Sequence, residues 1–240
     1  MATSVRPAVV ELREIPKRGG GVRTLTTLSA DDSAAYALAV DRVAPAIERF
    51  LDRGVFTDRA LAAGTRGAVT GARARWRAAI VRALRPGTFV IAGDVMDCYP
   101  SIAVDTVATG LAAAGAEPTA VAGVRRALGR IEAVGTRGLP VGPAPSALVA
   151  NAVLAIADRA VRERGATLMR WVDDVIICAD DRHTTVRAFD AWTASLRWLG
   201  LTPHDGKTRG WAEHDEALHA LLGAPPSGAD RPSRGMIRAP

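Results

Sequence analysis

Residues 168–181 read LMRWVDDVIICADD, with the pair Asp-Asp occurring twice. Around the first pair the chain is apolar and rich in strand formers, with Leu168, Met169, Trp171 and Val172 before it and Val175, Ile176, Ile177 and Cys178 after it. This predicts two short buried strands joined by a tight turn that carries Asp173 and Asp174. Carboxylates held between buried strands lose hydration that hydrogen-bond donors or a cation must offset, which makes a divalent metal a serious candidate. The second pair, Asp180 and Asp181, precedes an amphipathic run over 183–199 and sits where a side-chain oxygen caps the first turn of a helix. The first pair is therefore the one to follow for chemistry.

Working outward, residues 88–95 read as a strand, 104–114 and 119–131 as helices, and 145–164 as a long helix closed by Gly165, with a last extended piece from Leu201. Strand, helices, hairpin, helix, strand is the βαββαβ order of an α+β, ferredoxin-like sheet with helices on one face. In such a sheet the first strand lies beside the hairpin, which brings its terminal residue, Asp94, next to the turn. Asp94 and Asp173 then converge from distant parts of the chain, the arrangement that holds two divalent ions about 3.5–4 Å apart for in-line phosphoryl transfer. Mg²⁺ suits an all-oxygen site completed by substrate phosphates.

Upstream, residues 8–28 predict two strands with RGGG at the turn, the glycines supplying positive φ. Residues 32–52 predict a helix with apolar positions at Tyr36, Val40, Val43, Ile47, Phe50 and Leu51, kinked or divided at Pro45 and stopped at Gly54. Residues 66–86 predict a helix with Trp76, Ile80 and Leu84 on one stripe and Arg75 and Arg82 opposite. That basic side is either a solvated face or a contact for a nucleic-acid backbone.

The 240 residues, 48% of them hydrophobic, suffice for a sizeable core. No uninterrupted apolar run reaches membrane-spanning length and the N-terminus lacks a signal-peptide pattern, so a soluble cytoplasmic protein with no membrane partner is expected. Cys98 and Cys178 both lie in apolar company and read as buried thiols. The net charge of +6 and pI near 10.3 favour a polyanionic partner. Of 31 basic residues only Lys17 and Lys207 are lysines, and lysine can release a proton where arginine cannot.

These segments resemble the reverse transcriptases. GDVMDCYPSI (93–102) is similar to the first catalytic motif of that family, GLPVGPAPSALVAN (138–151) to the second, RWVDD (170–174) to the third and LGLTPHDGKT (199–208) to the fourth. IPKRGGGVRTL (15–25) resembles the fingers segment that binds nucleotide phosphates, and ALLG (220–223) weakly resembles the segment that grips the primer.

The resemblance implies a fingers–palm polymerase core, with fingers over 1–87, palm over 88–223 and a disordered tail over 224–240. It implies Asp94 and Asp173 as metal ligands, assisted by the Val95 carbonyl, with Asp174 as companion carboxylate. The cofactor would be two Mg²⁺ ions, with Mn²⁺ a possible substitute. Lys207 matches the lysine proposed to protonate pyrophosphate, and Lys17 and Arg23 match the phosphate-binding pair. Tyr99, five residues beyond Asp94, matches the aromatic beneath the sugar that favours deoxynucleotides. Pro140, Val141 and Gly142 fall where the family contacts nucleotide and template, and Trp171 replaces the usual tyrosine beside the primer terminus.

Val141 replaces a residue that is commonly polar. An apolar residue there is familiar in bacterial reverse transcriptases of diversity-generating elements and of phage defence, and the GPAPS that follows is closer to the defence-associated and abortive-infection group. After ALLG seventeen residues remain, fewer than the helical thumb of most members. The implied partners are an RNA template, a DNA or RNA primer and deoxynucleoside triphosphates, with a further protein subunit, a structured RNA or self-association in place of the thumb. A catalytically degenerate polymerase fold acting as a nucleic-acid-binding or regulatory subunit is the alternative from another class. The RNA-polymerase or cyclase chemistry of other palm domains is disfavoured by Tyr99.

Overall fold

The computed structural model describes residues 6–17, 20–59 and 71–223. The chain divides into two compact units that interleave along the sequence. The first takes residues 1–51, 58–67 and 97–156, and the second 52–57, 68–96 and 157–240. The expected tail over 224–240 and the first residues of the expected helix over 66–86 lie outside the described residues.

In the first unit, β1 (Val10–Pro16) and β2 (Val22–Leu28) form an antiparallel hairpin. Its tip carries Gly20 and Gly21 at positive φ, as the glycine run predicts. Helix α1 (Ala30–Phe50) starts at Ser29, whose hydroxyl accepts from the Asp32 N–H, and the acidic Asp31 and Asp32 occupy its first turn, where the helix dipole favours them. It buries Tyr36, Val40, Val43 and Ile47, as the spacing predicts. Pro45 does not divide it, because it sits on the exposed side, where water can substitute for the missing N–H.

Helices α3 (Cys98–Ser101), α4 (Val104–Ala113) and α5 (Pro118–Glu132) follow, with α5 packed against α1 and α4. The short α3 was not legible in the sequence. Helix α6 (Ala144–Glu163) runs from the first unit into the second. It is long and apolar enough to cross a membrane by composition, yet 72% of its apolar window is buried inside the protein, as for a core helix.

The second unit is built on a four-stranded antiparallel sheet of β3 (Phe89–Gly93), β4 (Thr167–Trp171), β5 (Asp174–Ala179) and β6 (Arg209–Trp211), in the order β4-β5-β3-β6. This is the ferredoxin-like order that βαββαβ predicts. The helices are not confined to one face. Helix α7 (Arg182–Trp198) packs on the face bearing Gly93, a Cβ on which would lie 3.0 Å from Phe189 and 3.2 Å from Trp192. Helices α2 (Ala72–Ala83) and α8 (His214–Leu222) cover the other face. There Trp76, Ile80, Leu84 and Ala217 bury Val90, Met169, Ile176 and Cys178. Every strand therefore needs apolar residues on both sides, which is why β3 and β5 read as continuous apolar runs.

Asp181 caps α7 as expected, its carboxylate accepting from the Thr184 N–H at 2.8 Å. Cys98 and Cys178 are both buried thiols, as expected.

Segment 52–57 was missed in the sequence. It runs alongside β4, with the Arg170 N–H donating to the Gly54 carbonyl at 2.8 Å and the Phe56 N–H to the Arg170 carbonyl at 3.1 Å. A Cβ on Gly54 would lie 2.0 Å from the Leu168 carbonyl oxygen, so only glycine permits this approach. Gly54 therefore serves this approach and not the end of α1, which stops at Phe50 with Leu51 as its cap.

Candidate active site

The second unit gathers the carboxylates. β3 pairs with β5 so that Gly93 faces Val175, which sets Asp94, the next residue, beside the start of β5. The hairpin turn is shifted by one residue from the expectation. Trp171 pairs with Asp174, so Val172 and Asp173 form the turn and Asp174 opens β5. Asp94 is buried, Asp173 half-buried and Asp174 exposed. Asp174 is a hydrogen-bonding neighbour of Asp94. Withdrawal from water, then the charges of Asp173 and Asp94, push the Asp174 carboxyl up to about 6.

Lys207 enters from a 3₁₀ turn over Asp205–Lys207 and donates from Nζ to Asp94 Oδ2 at 2.7 Å. That hydrogen bond holds its ammonium above the ordinary lysine value. The turn is tied to β3 by its backbone, since the His204 N–H donates to the Asp94 carbonyl and the Met96 N–H to the Thr202 carbonyl, both at 2.8 Å. Val95 is buried and bridges to Pro203. Trp171 is half-buried, its ring 5.5 Å from that of Trp76, with the Arg73 guanidinium 5.3 Å above it.

Among the described residues no three carboxylate, imidazole or thiolate groups form a closed metal cage. The donor set nevertheless fits Mg²⁺. Asp94 and Asp174 are close enough to hydrogen-bond, Asp173 adds its charge, and withdrawal from water together with that repulsion raises the Asp174 carboxyl, a penalty that a hard divalent cation relieves. Sites of this kind leave positions for water and substrate phosphates, so a closed protein cage is not required.

Two residues of this neighbourhood were overlooked in the sequence. Arg170 lies between Met169 and Trp171 on β4 and is 1% exposed, and Asp158 on α6 is fully buried. They form an ion pair at 2.8 Å. Burial pushes the Asp158 carboxyl up while Arg170 opposes that shift. The available signal was Arg170 inside the apolar run of β4 and Asp158 on the apolar stripe of α6, four residues after Leu154 and three before Val161, because buried charges occur paired. Val172 has φ +59°, a left-handed conformation that costs a non-glycine residue roughly 1–2 kcal/mol.

The first unit gathers the residues expected to contact nucleotide. Lys17 and Arg23 flank the tip of the β1–β2 hairpin, where the Lys17 N–H donates to the Gly21 carbonyl at 3.0 Å and Arg23 pairs with Ile15. Lys17 Nζ contacts Asp97 Oδ1 at 2.7 Å, and Arg23 is exposed. Tyr99 is half-buried on α3.

The loop with Pro140, Val141 and Gly142 is held on both sides. The Leu139 N–H donates to the Tyr99 carbonyl at 2.9 Å, and the Val141 carbonyl accepts from the Thr26 N–H at 2.7 Å. Gly138 has φ +65°, and a Cβ there would lie 2.4 Å from the Pro100 carbonyl oxygen, which accounts for the glycine opening the motif. The Val141 backbone is thus engaged by β2 although its apolar side chain brings no hydrogen bond.

No curated protein matches this chain significantly. Solved structures similar in fold include apo telomerase from Candida tropicalis, at TM-score 0.58 and 11% identity over 88% of this chain and 46% of that one. A form of that enzyme truncated from its C-terminal domain gives 0.57 and 14% over 84% and 49%. Telomerase from Candida albicans, in complex with a fragment of telomeric RNA, gives 0.54 and 10% over 86% and 42%. The chain thus spans about half the length of these structures or less, and they share its mixed α+β core. The family model for reverse transcriptase (RNA-dependent DNA polymerase) matches residues 15–221, nearly the whole of the described chain, and on that match this protein belongs to the reverse transcriptase family.

Proposed function

We propose that the chain catalyses template-directed DNA synthesis by nucleotidyl transfer at a two-metal site, with RNA as template, in a bacterial phage-defence context. The observation that carries the reading is the convergence of Asp94 with the Asp173–Asp174 hairpin, with Lys207 Nζ 2.7 Å from Asp94 Oδ2, in a reverse transcriptase chain. Asp94, Asp173, Asp174 and the Val95 carbonyl would hold the ions. When bound, two Mg²⁺ ions supply Lewis-acid activation of the primer 3′-hydroxyl and neutralise charge on the departing pyrophosphate.

The protein's own groups do the rest. Lys207, kept protonated by Asp94, carries a proton that it can deliver to the leaving pyrophosphate oxygen. Lys17 and Arg23 bind the triphosphate, and Lys17 must first exchange Asp97 for a phosphate oxygen. Tyr99 lies against the sugar and disfavours a 2′-hydroxyl. Trp171, backed by Trp76, offers a flat surface for the primer terminus. The division into fingers over 1–87 and palm over 88–223 belongs to this reading.

The RNA template is supported by the family, whose members are RNA-dependent DNA polymerases. The defence context is supported by Val141 and the GPAPS that follows it. A further protein, a structured RNA or a second copy would hold the product duplex, and the arginine-bearing α2 is a candidate surface for it.

The test is Mg²⁺-dependent incorporation of deoxynucleotides on primed RNA, compared with primed DNA. Asp94→Asn and Asp173→Asn should each abolish incorporation while nucleic-acid binding persists, because backbone affinity is spread over many arginines. Unchanged incorporation in either variant would sink the two-metal assignment. Cells expressing the wild-type chain should resist phage where cells expressing Asp94→Asn do not.

A further inference from the structure

The turn that presents Asp173 and Asp174 rests on an unfavourable backbone. Val172 is β-branched and has φ +59°, at a turn position where glycine would be at ease. Such a conformation persists only where its surroundings over-determine it, and here both backbone polar groups of Val172 are taken by side chains. Its N–H donates to the Thr57 hydroxyl at 3.0 Å, and its carbonyl accepts from Arg170 Nη1 at 2.8 Å.

Neither partner is free to move. The Arg170 Nε donates to both Asp158 oxygens, at 3.1 and 2.8 Å, in a pair shielded from water. Thr57 is buried at the end of segment 52–57, which is stitched to the Arg170 backbone on both sides and pressed against Leu168 at Gly54. Arg162 on α6 pairs with Asp52 at the start of that segment, and Asp52 Oδ1 also accepts from the Gly54 N–H at 2.6 Å.

We infer that Thr57, Arg170 and Asp158 are positioning residues, a clamp that holds Val172 in its left-handed conformation and so fixes the direction in which Asp173 and Asp174 present their carboxylates. Segment 52–57 then has a catalytic purpose although it contributes no reacting group. The clamp acts through the backbone of the residue before the carboxylates.

The inference rests on the polymerase reading of Asp173 and Asp174, and its test separates the two. Thr57→Val keeps the shape of the side chain and removes the acceptor for the Val172 N–H, whereas Thr57→Ser keeps the acceptor. Three quantities are measured on the full chain: Mn²⁺ affinity by paramagnetic resonance, kcat and KM for one deoxynucleotide, and hydrogen exchange at the Val172 amide. Thr57→Val should weaken Mn²⁺ binding and lower kcat by about 10–100-fold, as loss of groups that orient metal ligands does. The nucleotide KM should hold and the Val172 amide should exchange faster, while Thr57→Ser stays near wild type.

A second variant guards against simple destabilisation. Adding Val172→Gly to Thr57→Val should restore much of the Mn²⁺ affinity, because glycine adopts positive φ without a clamp. Equal Mn²⁺ affinity and equal Val172 exchange in Thr57→Val and Thr57→Ser would overturn the proposal, as would a loss that Val172→Gly deepens. A wild-type chain that binds Mn²⁺ without incorporating nucleotide would count against the polymerase reading instead, and the binding and exchange results would still decide on the clamp.

Discussion

Lys207 and Arg170 are both cations near the aspartates, and their roles differ because their exposure differs. Lys207 is open to solvent along much of its side chain and meets Asp94 with a single mobile ammonium, whereas Arg170 is sealed in with Asp158. Lys207→Arg therefore preserves the charge and should keep Asp94 paired, yet it removes a transferable proton. Single-turnover incorporation should slow by about 100-fold or more, the usual size of general acid catalysis, with little change in nucleotide affinity. Tyr99→Ala should raise incorporation of ribonucleotides relative to deoxynucleotides, measured as the ratio of kcat/KM for the two sugars, and an unmoved ratio would make Tyr99 a packing residue. That Asp94 meets the Asp173–Asp174 hairpin was legible because a βαββαβ order places the first strand beside the hairpin. That Asp174 faces Asp94 was not legible, since it depends on pairing Trp171 with Asp174, and a shift of one residue reverses which side chains share a face.

Helix α2 turns Trp76 and Ile80 inward and carries Arg73, Arg75, Arg77 and Arg82 on exposed positions with no acid in its first turn. If this face follows a phosphate backbone, the double variant Arg75→Ala, Arg82→Ala should weaken binding to every sequence alike. It should also flatten the dependence of log affinity on log salt by about 0.7–0.9 per arginine, measured by fluorescence anisotropy across a salt series. At the start of α1, Asp32 accepts from the Val9 N–H at 2.8 Å and pairs with Arg130 at 2.6 Å. The Val9 hydrogen bond, with Ser29 and Arg130 in support, holds the Asp32 carboxyl below the usual 3.8. A depressed carboxyl stabilises the fold fully above its unfolded value and loses that contribution as pH falls through the folded value. Asp32→Asn should thus cost about 1–3 kcal/mol in urea unfolding at neutral pH, and the gap to wild type should close below pH 3.8. The long periodic helices were legible from their apolar spacing. Helices α3 and α8, the 3₁₀ turn and segment 52–57 were not, because each is short and is held by contacts with distant parts of the chain.

The sheet order followed from the alternation of strands and helices, but the covering of its second face did not. That cover comes from α2, which precedes the βαββαβ run, and from α8, which follows it, so no local pattern ties them to the same strands. The central position of β3 has a consequence for how the protein is made. Its neighbours on either side, β5 and β6, both come later in the chain, and roughly 80 residues separate Gly93 from the start of β5. At about 5–20 residues per second of translation, the apolar strand FVIAG leaves the ribosome and waits on the order of 4–16 seconds before β5 exists to pair with it. During that interval its unpaired N–H and carbonyl groups offer two open edges to any other nascent strand. Among the described strands, the one that delivers Asp94 to the carboxylate cluster is thus the most exposed to misassembly during synthesis, and the yield of soluble chain should rise when residues 94–179 are translated faster, or when holding chaperones are abundant.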